Sequence, residues 1–264
     1  MMDTVDISPT RMMLLYGVAV LPWLLLWSAG LHLARELWLS IVRMSVQLAL
    51  VGIYLKYLFE INAPALNVLW IVVMLVVADF TILRRAGLRI RHFFLSTLAA
   101  IVAGTAFSVA YLLLLVIRPE PIYDARYLVP LAGMILGNCL QGNVIGLERF
   151  YSAIRKNENE YLTYLLLGAT RREAVRPYFR EALKASVNPT LASMATLGLV
   201  SLPGMMTGQI LGGSEPWVAV KYQIAIMLCI FASMSLAAVL NLSLSLRFAF
   251  DEFDVLREAV FRRH

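Results

Sequence analysis

The sequence lacks the short motifs that mark most self-contained nucleotide-binding and hydrolytic proteins. None of its lysines is followed by Ser or Thr, so there is no G-x-x-x-x-G-K-[ST] loop to cradle a nucleotide phosphate. Neither H-E-x-x-H nor G-x-S-x-G occurs. We therefore predict that the chain is not an enzyme, and that it has neither catalytic residues nor a cofactor of its own.

Residues that bind transition metals are also scarce. The two cysteines, Cys139 and Cys229, lie inside apolar blocks and form neither a disulfide framework nor a Cys-rich metal motif. The three histidines, His32, His92 and His264, lie at the edges of apolar blocks or at the terminus. No metal ligands are assigned from the sequence.

Charged residues make up 15% of the chain and apolar residues 60%, with a mean hydropathy of +0.75. Ordinary globular domains contain about 45–50% apolar residues. The excess is gathered in blocks, which is typical of a polytopic membrane protein. We predict an all-α fold that forms a single transmembrane domain over residues 1–264. Seven apolar stretches are long enough to span a bilayer: 12–33, 38–58, 65–83, 93–117, 127–147, 186–204 and 217–246.

The net charge of +6 reflects basic residues in the loops between these blocks, which indicates membrane orientation and not nucleic-acid binding. With the N-terminus outside, 18 of the 23 basic residues fall on the inner side. This asymmetry predicts a cytoplasmic C-terminus and a multi-pass protein of the inner (plasma) membrane. The five basic residues on the outer side are Arg11, Lys56, Arg118, Arg126 and Lys221.

One long polar interval, Glu148–Pro189, separates the fifth and sixth predicted spans. Two helical patterns meet there at Gly168, a residue suited to the left-handed conformation that follows a helix. Thr170 and Glu173 have the spacing of a capping box at the start of the second helix. We predict a cytoplasmic coupling segment over about 149–185 that a soluble partner grips. Its contact tip is either 168–170 or the helix end at 161–167, with Gly168 as the hinge.

Polar side chains inside the predicted spans are candidates for a transport path. An ionisable or amide group in a membrane either lines a pathway or bonds a neighbouring helix. Asp79 lies one turn before Arg84 and could pair with it or with an arginine of another span. The fifth span also contains small residues at the four-residue spacing that lets helices approach closely. The candidates in these spans are Gln47, Asp79, Asn138, Gln141 and Asn143.

The segment 203–214 is rich in glycine and follows a Ser-Leu-Pro helix start. We predict a short re-entrant or outer helix there. Met205 and Met206 are thioethers that either ligate a soft metal or fill gaps between helices. Both residues, together with Gln209, complete the candidate path.

The Gly-centred helix pair resembles the coupling helix that permease subunits of ABC transporters present to their ATPase, a Glu-Ala-rich stretch followed by Gly. Glu160 and Gly168 match that pattern, whereas the Ala pair is absent. The whole sequence resembles the FetB family of iron-export ABC permeases, which has plant relatives linked to aluminium tolerance. The matching blocks are Arg43-x-x-x-Gln47 followed by VGIYLKYLF, then PLAGMILGN, LLLGATRREA, GLVSLPGMMTGQI and AVKYQI.

This resemblance implies a permease subunit that pairs with a separate ATP-binding subunit, two copies of each, with ATP and Mg²⁺ on the partner. It implies export of iron or another metal, free or as a chelate; the residues leave open an organic solute such as a nucleotide sugar. A retinal-type seven-helix protein, with Lys221 as the attachment site, and a scaffold without transport are further alternatives. By position, the residues that dock on the ATPase are Glu160, Leu165, Gly168, Ala169, Thr170, Arg171, Arg172 and Glu173.

Overall fold

The computed structural model describes residues 7–31 and 33–262, and these residues are almost wholly helical, with no β-strand among them. Leu112–Ile117 prolongs α5 as a π-helix, and Glu258–Val260 forms one 3₁₀ turn. The α-helices are α1 (Pro9–Gly17), α2 (Val20–Ser28), α3 (Ala34–Ile61), α4 (Pro64–Arg85), α5 (Ile90–Tyr111), α6 (Ala125–Lys156), α7 (Glu158–Leu166), α8 (Arg171–Thr196), α9 (Gly204–Leu211) and α10 (Pro216–Ala249).

Within the described residues, six segments are long and apolar enough to cross a membrane, where seven were predicted. The predicted sixth span, 186–204, is not one helix, because α8 ends at Thr196. Gly198 then takes a φ of +82° and donates its N–H to the carbonyl of Ser201, which turns the chain away from the helix axis. The six segments are Pro9–Ser28, Ala34–Ile61, Pro64–Arg85, Ile90–Ile117, Ala125–Lys156 and Pro216–Ala249.

The helix bundle has one basic end, where α4, α6 and α10 terminate and α5 and α8 begin. Arg155 in the last turn of α6 bonds Glu258, and Arg171 at the start of α8 pairs with Asp254. At the opposite end, the side chain of Asn62 accepts a hydrogen bond from the backbone N–H of Ala125 at 2.9 Å. Since α8 starts at the basic end and α10 starts at the other, residues 171–216 carry the chain through the full depth of the bundle.

The centre of the bundle is formed by α10 against α5 and α6, and glycines allow the close approach. A Cβ added to Gly104 would lie 2.6 Å from the carbonyl oxygen of Ser233 on α10. A Cβ on Gly142 would lie 2.6 Å from the Met234 side chain. The predicted small-residue packing of the fifth span is therefore present at Gly142, whereas Gly137 faces open space.

Helices α1 to α3 pack only lightly on the rest of the chain. No residue of α1 or α2 is buried, and Leu58 is the single buried residue of α3 among those described. Tyr54 stacks on Trp70 of α4 with ring centroids 4.2 Å apart, which anchors the end of α3. The rest of these apolar helices is left for lipid or another subunit to cover.

Candidate functional site

The predicted helix–Gly–helix element is present at the basic end. Helix α7 ends at Leu166, and Gly168 takes a φ of +90°, a conformation that favours glycine. The capping box of α8 is complete, because the Glu173 carboxylate accepts the Thr170 N–H at 2.8 Å and the Thr170 hydroxyl accepts the Glu173 N–H at 3.4 Å. The hydrogen bonds from Thr170 lower the pKa of Glu173. Gly168 and the box together fix the angle between α7 and α8.

One face of α7 is anchored to the bundle through Tyr161. Its ring is buried against Phe250, with centroids 5.8 Å apart, and its hydroxyl donates to the carbonyl of Asp254 at 2.6 Å. Burial, together with the Asp254 carboxylate, raises the pKa of Tyr161 to about 12. Leu162 and Leu165 pack on the same core, so Leu165, a predicted docking residue, points partly inward.

The opposite side of this element presents leucines to solvent. Leu166 is 87% exposed and Leu167 is 80% exposed. Leu166 lies at the last position of the short helix α7, beyond the reach of the core that Leu165 contacts. We call residues Glu158–Glu173 the knob, since they form a short helix, a turn and a capped helix start that display Leu166 and Leu167.

The remaining predicted docking residues lie around the same knob. Glu160 accepts a hydrogen bond from the Tyr164 hydroxyl at 3.2 Å. The guanidinium of Arg171 lies 3.0 Å from the Asp254 carboxylate and above the Phe250 ring. Arg172 is exposed and Ala169 is half-buried. All eight predicted docking residues are therefore close together in space.

The C-terminal tail, residues 250–262, ties the knob to the rest of the basic end. The tail pairs with the α4–α5 turn, where the N–H of Arg89 donates to Val260 and the N–H of Arg262 donates to Gly87, both at 2.8 Å. It contacts α6 through the bidentate pair of Arg155 and Glu258. The sequence did not predict this tail, because its pairing partner lies more than 170 residues away and carries no local strand pattern.

Among the candidate path residues, Asp79 is fully buried in α4, and neither carboxylate oxygen has a hydrogen-bond partner in the described part of the chain. The alternative pairing of Asp79 with Arg84 does not form. Isolated burial of a carboxylate costs free energy unless the group is neutral or binds a cation.

Asn143 lies in a separate buried network that crosses three helices. Asn241 of α10 donates to the Asn143 side-chain oxygen at 2.9 Å and accepts from the Thr97 hydroxyl at 3.0 Å. Asn143 also donates to the carbonyl of Cys139 at 2.8 Å. Asn143 and Asn241 together therefore link α5, α6 and α10, and the amide of Asn143 is not free for a solute.

Two other amides of α6 point away from the core. Asn138 and Gln141 are exposed, and Asn138 bonds only the carbonyl of Met134 in its own helix at 2.9 Å. Gln47 of α3 lines a nearby groove of about 500 Å³ between α3, α4 and α6, which also contains Gly137. This group of amides lies on the side of α6 that the bundle leaves uncovered.

Helix α9 forms at Gly204–Leu211, as the sequence predicted for a short helix, and with α8 and α10 it encloses a cavity of about 330 Å³. Met206 lines this cavity with Met194, Met227 and the amide of Gln223. Met205 instead packs against the core. The side-chain oxygen of Gln209 is buried and has no hydrogen-bond partner among residues 7–31 and 33–262. We call this space the methionine cavity.

The candidate path residues thus fall into separate places and do not converge on one site. No group of three or more His, Cys, Asp or Glu side chains could hold a metal ion among the described residues. Lys221 is exposed at the start of α10, 5.8 Å from the Trp217 ring, where a buried Schiff base cannot form.

Comparison with known proteins identifies relatives along nearly the whole chain. A UPF0014 membrane protein of Synechocystis is 37% identical over 90% of this chain and 90% of its own. The Arabidopsis thaliana protein ALUMINUM SENSITIVE 3 is 35% identical over 80% of this chain and 76% of its own. The probable iron export permease protein FetB of Escherichia coli is 29% identical over 93% of each chain. These relatives confirm the resemblance drawn from the sequence.

No solved structure matches the chain. The family model described as "Uncharacterised protein family (UPF0014)" matches residues 9–250. With that match and these relatives, the helical bundle described above belongs to the UPF0014 family of membrane proteins.

Proposed function

We propose that the chain is the membrane-spanning permease subunit of an ABC transporter, and that a separate cytoplasmic subunit binds ATP and Mg²⁺. The knob is the observation that carries this proposal. Tyr161 and the capping box hold it rigidly, yet it exposes Leu166 and Leu167. Contiguous apolar side chains on an exposed, rigid element mark a surface for a protein partner.

The proposed topology has seven crossings, with the N-terminus outside and the C-terminus in the cytoplasm. Helix α8 and residues 197–203 supply the crossing that no single apolar helix provides, because α8 starts at the basic end and α10 starts at the opposite end. The basic end faces the cytoplasm by the positive-inside rule, which places the knob where an ATP-binding subunit can reach it. The protein then lies in the inner membrane.

Helix α8 connects the knob to the methionine cavity. It is one helix of 26 residues from Arg171 to Thr196, so at about 1.5 Å per residue it extends about 39 Å. Met194, close to its end, lines the cavity, and Gly198 with its φ of +82° follows directly. A movement that the ATP-binding subunit imposes on the knob therefore passes along α8 to the cavity, as alternating access requires, and Pro177 and Pro189 within α8 are the positions where the helix can bend.

Two copies of the permease with two ATP-binding subunits form the proposed transporter. The exposed amides Asn138 and Gln141 lie on a face of α6 that the other described helices leave open. Polar groups in a span are stable when they face protein or a water-filled path. A second copy opposite α6 would enclose these amides in a path between the subunits.

The proposed cargo is iron or another metal, free or as a chelate, moved outward. The name of the Escherichia coli relative supports this cargo. Methionine thioethers suit soft metals, and Asp79 is the only carboxylate buried in the described residues. An organic solute is the second candidate, favoured by the methionine cavity, whose lining is apolar apart from Gln223 and the backbone.

Reconstitution with the cognate ATP-binding subunit tests the permease role. Gly168→Val strains the left-handed turn and Thr170→Ala removes the cap, so we expect the double variant to lose stimulation of ATP hydrolysis and copurification of the subunit. Thr163→Ala is the matched control, because its hydroxyl bonds only the Asn159 carbonyl of its own helix. Unchanged stimulation of ATP hydrolysis by the double variant would show that the knob does not couple the ATP-binding subunit to the permease.

The cargo is tested separately in cells and vesicles. A deletion strain is scored for sensitivity to iron, copper and aluminium, and inside-out vesicles are assayed for ATP-dependent uptake of each metal. Export of a metal predicts sensitivity to that metal in the deletion strain and its uptake in vesicles. Uptake of none of these metals, with ATP hydrolysis still stimulated by the permease, would favour the organic solute.

A further inference from the structure

A cavity distinct from the methionine cavity lies at the basic end, between α8 and α10, and is lined by four arginines. Its volume is about 440 Å³. Arg171, Arg172 and Arg176 come from the first turns of α8, and Arg247 comes from the last turn of α10. The bundle thus gathers four positive charges around one space.

Most of this charge has no counter-ion within the protein. Arg171 pairs with Asp254, whereas Arg172, Arg176 and Arg247 form no ion pair in the described part of the chain. No carboxylate lines the cavity. Like charges held this close repel one another, and an anion in the cavity would relieve that repulsion.

The other basic cavity of the molecule lacks this imbalance. It is lined by Arg84, Arg85, Arg155 and Arg262, and its volume is about 640 Å³. Glu148 lines it as well, and Arg155 is already bound to Glu258 through two hydrogen bonds. Protein carboxylates therefore offset part of its charge, and more positive charge is left without a counter-ion in the cavity between α8 and α10.

The cavity between α8 and α10 also has an apolar side. Val175 and Phe179 of α8 line it together with Leu244 and Leu246 of α10. The apolar part of α10 leads directly into it, which places the arginines at the boundary between lipid tails and cytoplasm. A phosphate bound to the arginines could therefore carry acyl chains that run along the apolar side.

We propose that this cavity binds the headgroup of an anionic phospholipid from the cytoplasmic leaflet. Basic pockets between membrane helices on this side are suited to anionic headgroups, and guanidinium groups bind phosphate through two hydrogen bonds at once. The cavity shares Arg171 and Arg172 with the knob, whereas Arg176 and Arg247 lie outside the knob. It lies beside the start of α8, so a bound lipid holds this helix at the membrane surface.

The test uses the full-length chain in nanodiscs without the ATP-binding subunit. Retention of phosphatidylglycerol is measured by native mass spectrometry, with phosphatidylcholine as the neutral comparison. Each arginine near an anionic surface contributes about fivefold to binding, so Arg176→Gln with Arg247→Gln lowers retention about 25-fold. Arg180→Gln with Arg257→Gln removes the same charge outside the cavity, and it should lower retention much less than the cavity variant does.

Three outcomes would overturn the proposal. The first is an equal loss of lipid retention in the cavity variant and in the control variant, which would mean that the overall positive charge of the chain binds the lipid and the cavity does not. The second is that inorganic phosphate, added to the chain in phosphatidylcholine nanodiscs, protects the chain against thermal unfolding as much as phosphatidylglycerol does. That result would mean a free-phosphate site. The third is full retention of the lipid in the cavity variant; if that variant then fails to bind the ATP-binding subunit when the subunit is added to the nanodiscs, the arginines belong to a contact with an acidic protein surface. If the double variant does not assemble, each single replacement is expected to lower retention about fivefold.

Discussion

The two ends of the bundle differ in how firmly their parts are held. At the basic end, Tyr161, Arg171 and Glu258 join the knob, the C-terminal tail and α6 through hydrogen bonds and ion pairs. At the opposite end, residues 197–203 connect two helices with few side-chain contacts, and Leu199 is 88% exposed. The difference supports the proposed mechanism, in which force enters at the basic end and the opening movement occurs at the opposite end, with α8 between them.

The largest expected effect comes from removing the exposed leucines of the basic end. Leu166→Asp with Leu167→Asp should abolish measurable binding of the ATP-binding subunit, because burying two carboxylates in an apolar interface costs several kcal/mol. Titration calorimetry in detergent measures this affinity. Asn159→Asp adds a charge near the start of α7 and should leave the affinity for the ATP-binding subunit unchanged. An equal loss of affinity in that variant would show that the two leucines do not form the interface.

A smaller effect is expected when the knob is detached from the tail. Tyr161→Phe removes the hydrogen bond to Asp254 and leaves a carbonyl unsatisfied, which destabilises the basic end by about 1–2 kcal/mol. Hydrogen exchange should then rise in α7 and in residues 250–262, and not in residues 204–211. Faster exchange at both ends would mean that the two ends are not mechanically separate.

The capping box provides a prediction that depends on pH. Thr170→Ala should destabilise the start of α8 by about 1 kcal/mol. The bonds from Thr170 lower the pKa of Glu173 in the folded chain below its ordinary value of 4.5, so the stabilisation is complete above that value and is lost as the pH falls through the folded pKa. The difference between the circular dichroism melts of the wild type and the variant should therefore shrink from pH 7 to pH 3, because the bond from the Thr170 hydroxyl to the Glu173 carboxylate depends on ionisation and the bond from the Glu173 N–H does not. A difference that does not change with pH would contradict the bond to the carboxylate.

The opposite end is tested through the methionine cavity. Met206→Ala widens the cavity, so the affinity for cargo should change several-fold in vesicle transport, while binding of the ATP-binding subunit is unaltered. Met12→Ala is the control, because Met12 is exposed on α1. A Met206→Ala variant that lost the ATP-binding subunit would break the separation of the two ends.

The smallest expected effect is at the pair of Arg155 and Glu258. Both side chains are more than half exposed, and exposed ion pairs contribute about 0–1 kcal/mol. Arg155→Gln should lower the free energy of unfolding by about 0.5 kcal/mol, measured by thermal melts. A loss similar to that of Tyr161→Phe would mean that the tail is held mainly by charge.

The features that were predictable from sequence depend on neighbouring residues. Gly168 ends a helix because of its own backbone freedom, and Thr170 with Glu173 caps the next helix across three residues. The apolar blocks likewise predicted the six apolar segments, since each block carries its own hydropathy. These elements need no knowledge of the tertiary structure.

The features that were missed depend on distant contacts. The exposure of Leu166 depends on where the core stops, and the isolation of Asp79 depends on the side chains that neighbouring helices present. The pairing of the tail with the α4–α5 turn joins residues far apart in the chain. The predicted span 186–204 was too long because hydropathy continues through the turn at Gly198, where the backbone conformation changes.

The most direct test of the central claim is photocrosslinking from the knob. A thiol-reactive photocrosslinker is attached to Leu167→Cys in the reconstituted complex, and to Leu199→Cys as the control at the opposite end; the native cysteines are buried. We predict crosslinks from Leu167→Cys to the ATP-binding subunit, with a yield that changes when ATP is added, and none from Leu199→Cys. An intact complex that gives no crosslink from Leu167→Cys would contradict the assignment of the knob as the coupling element.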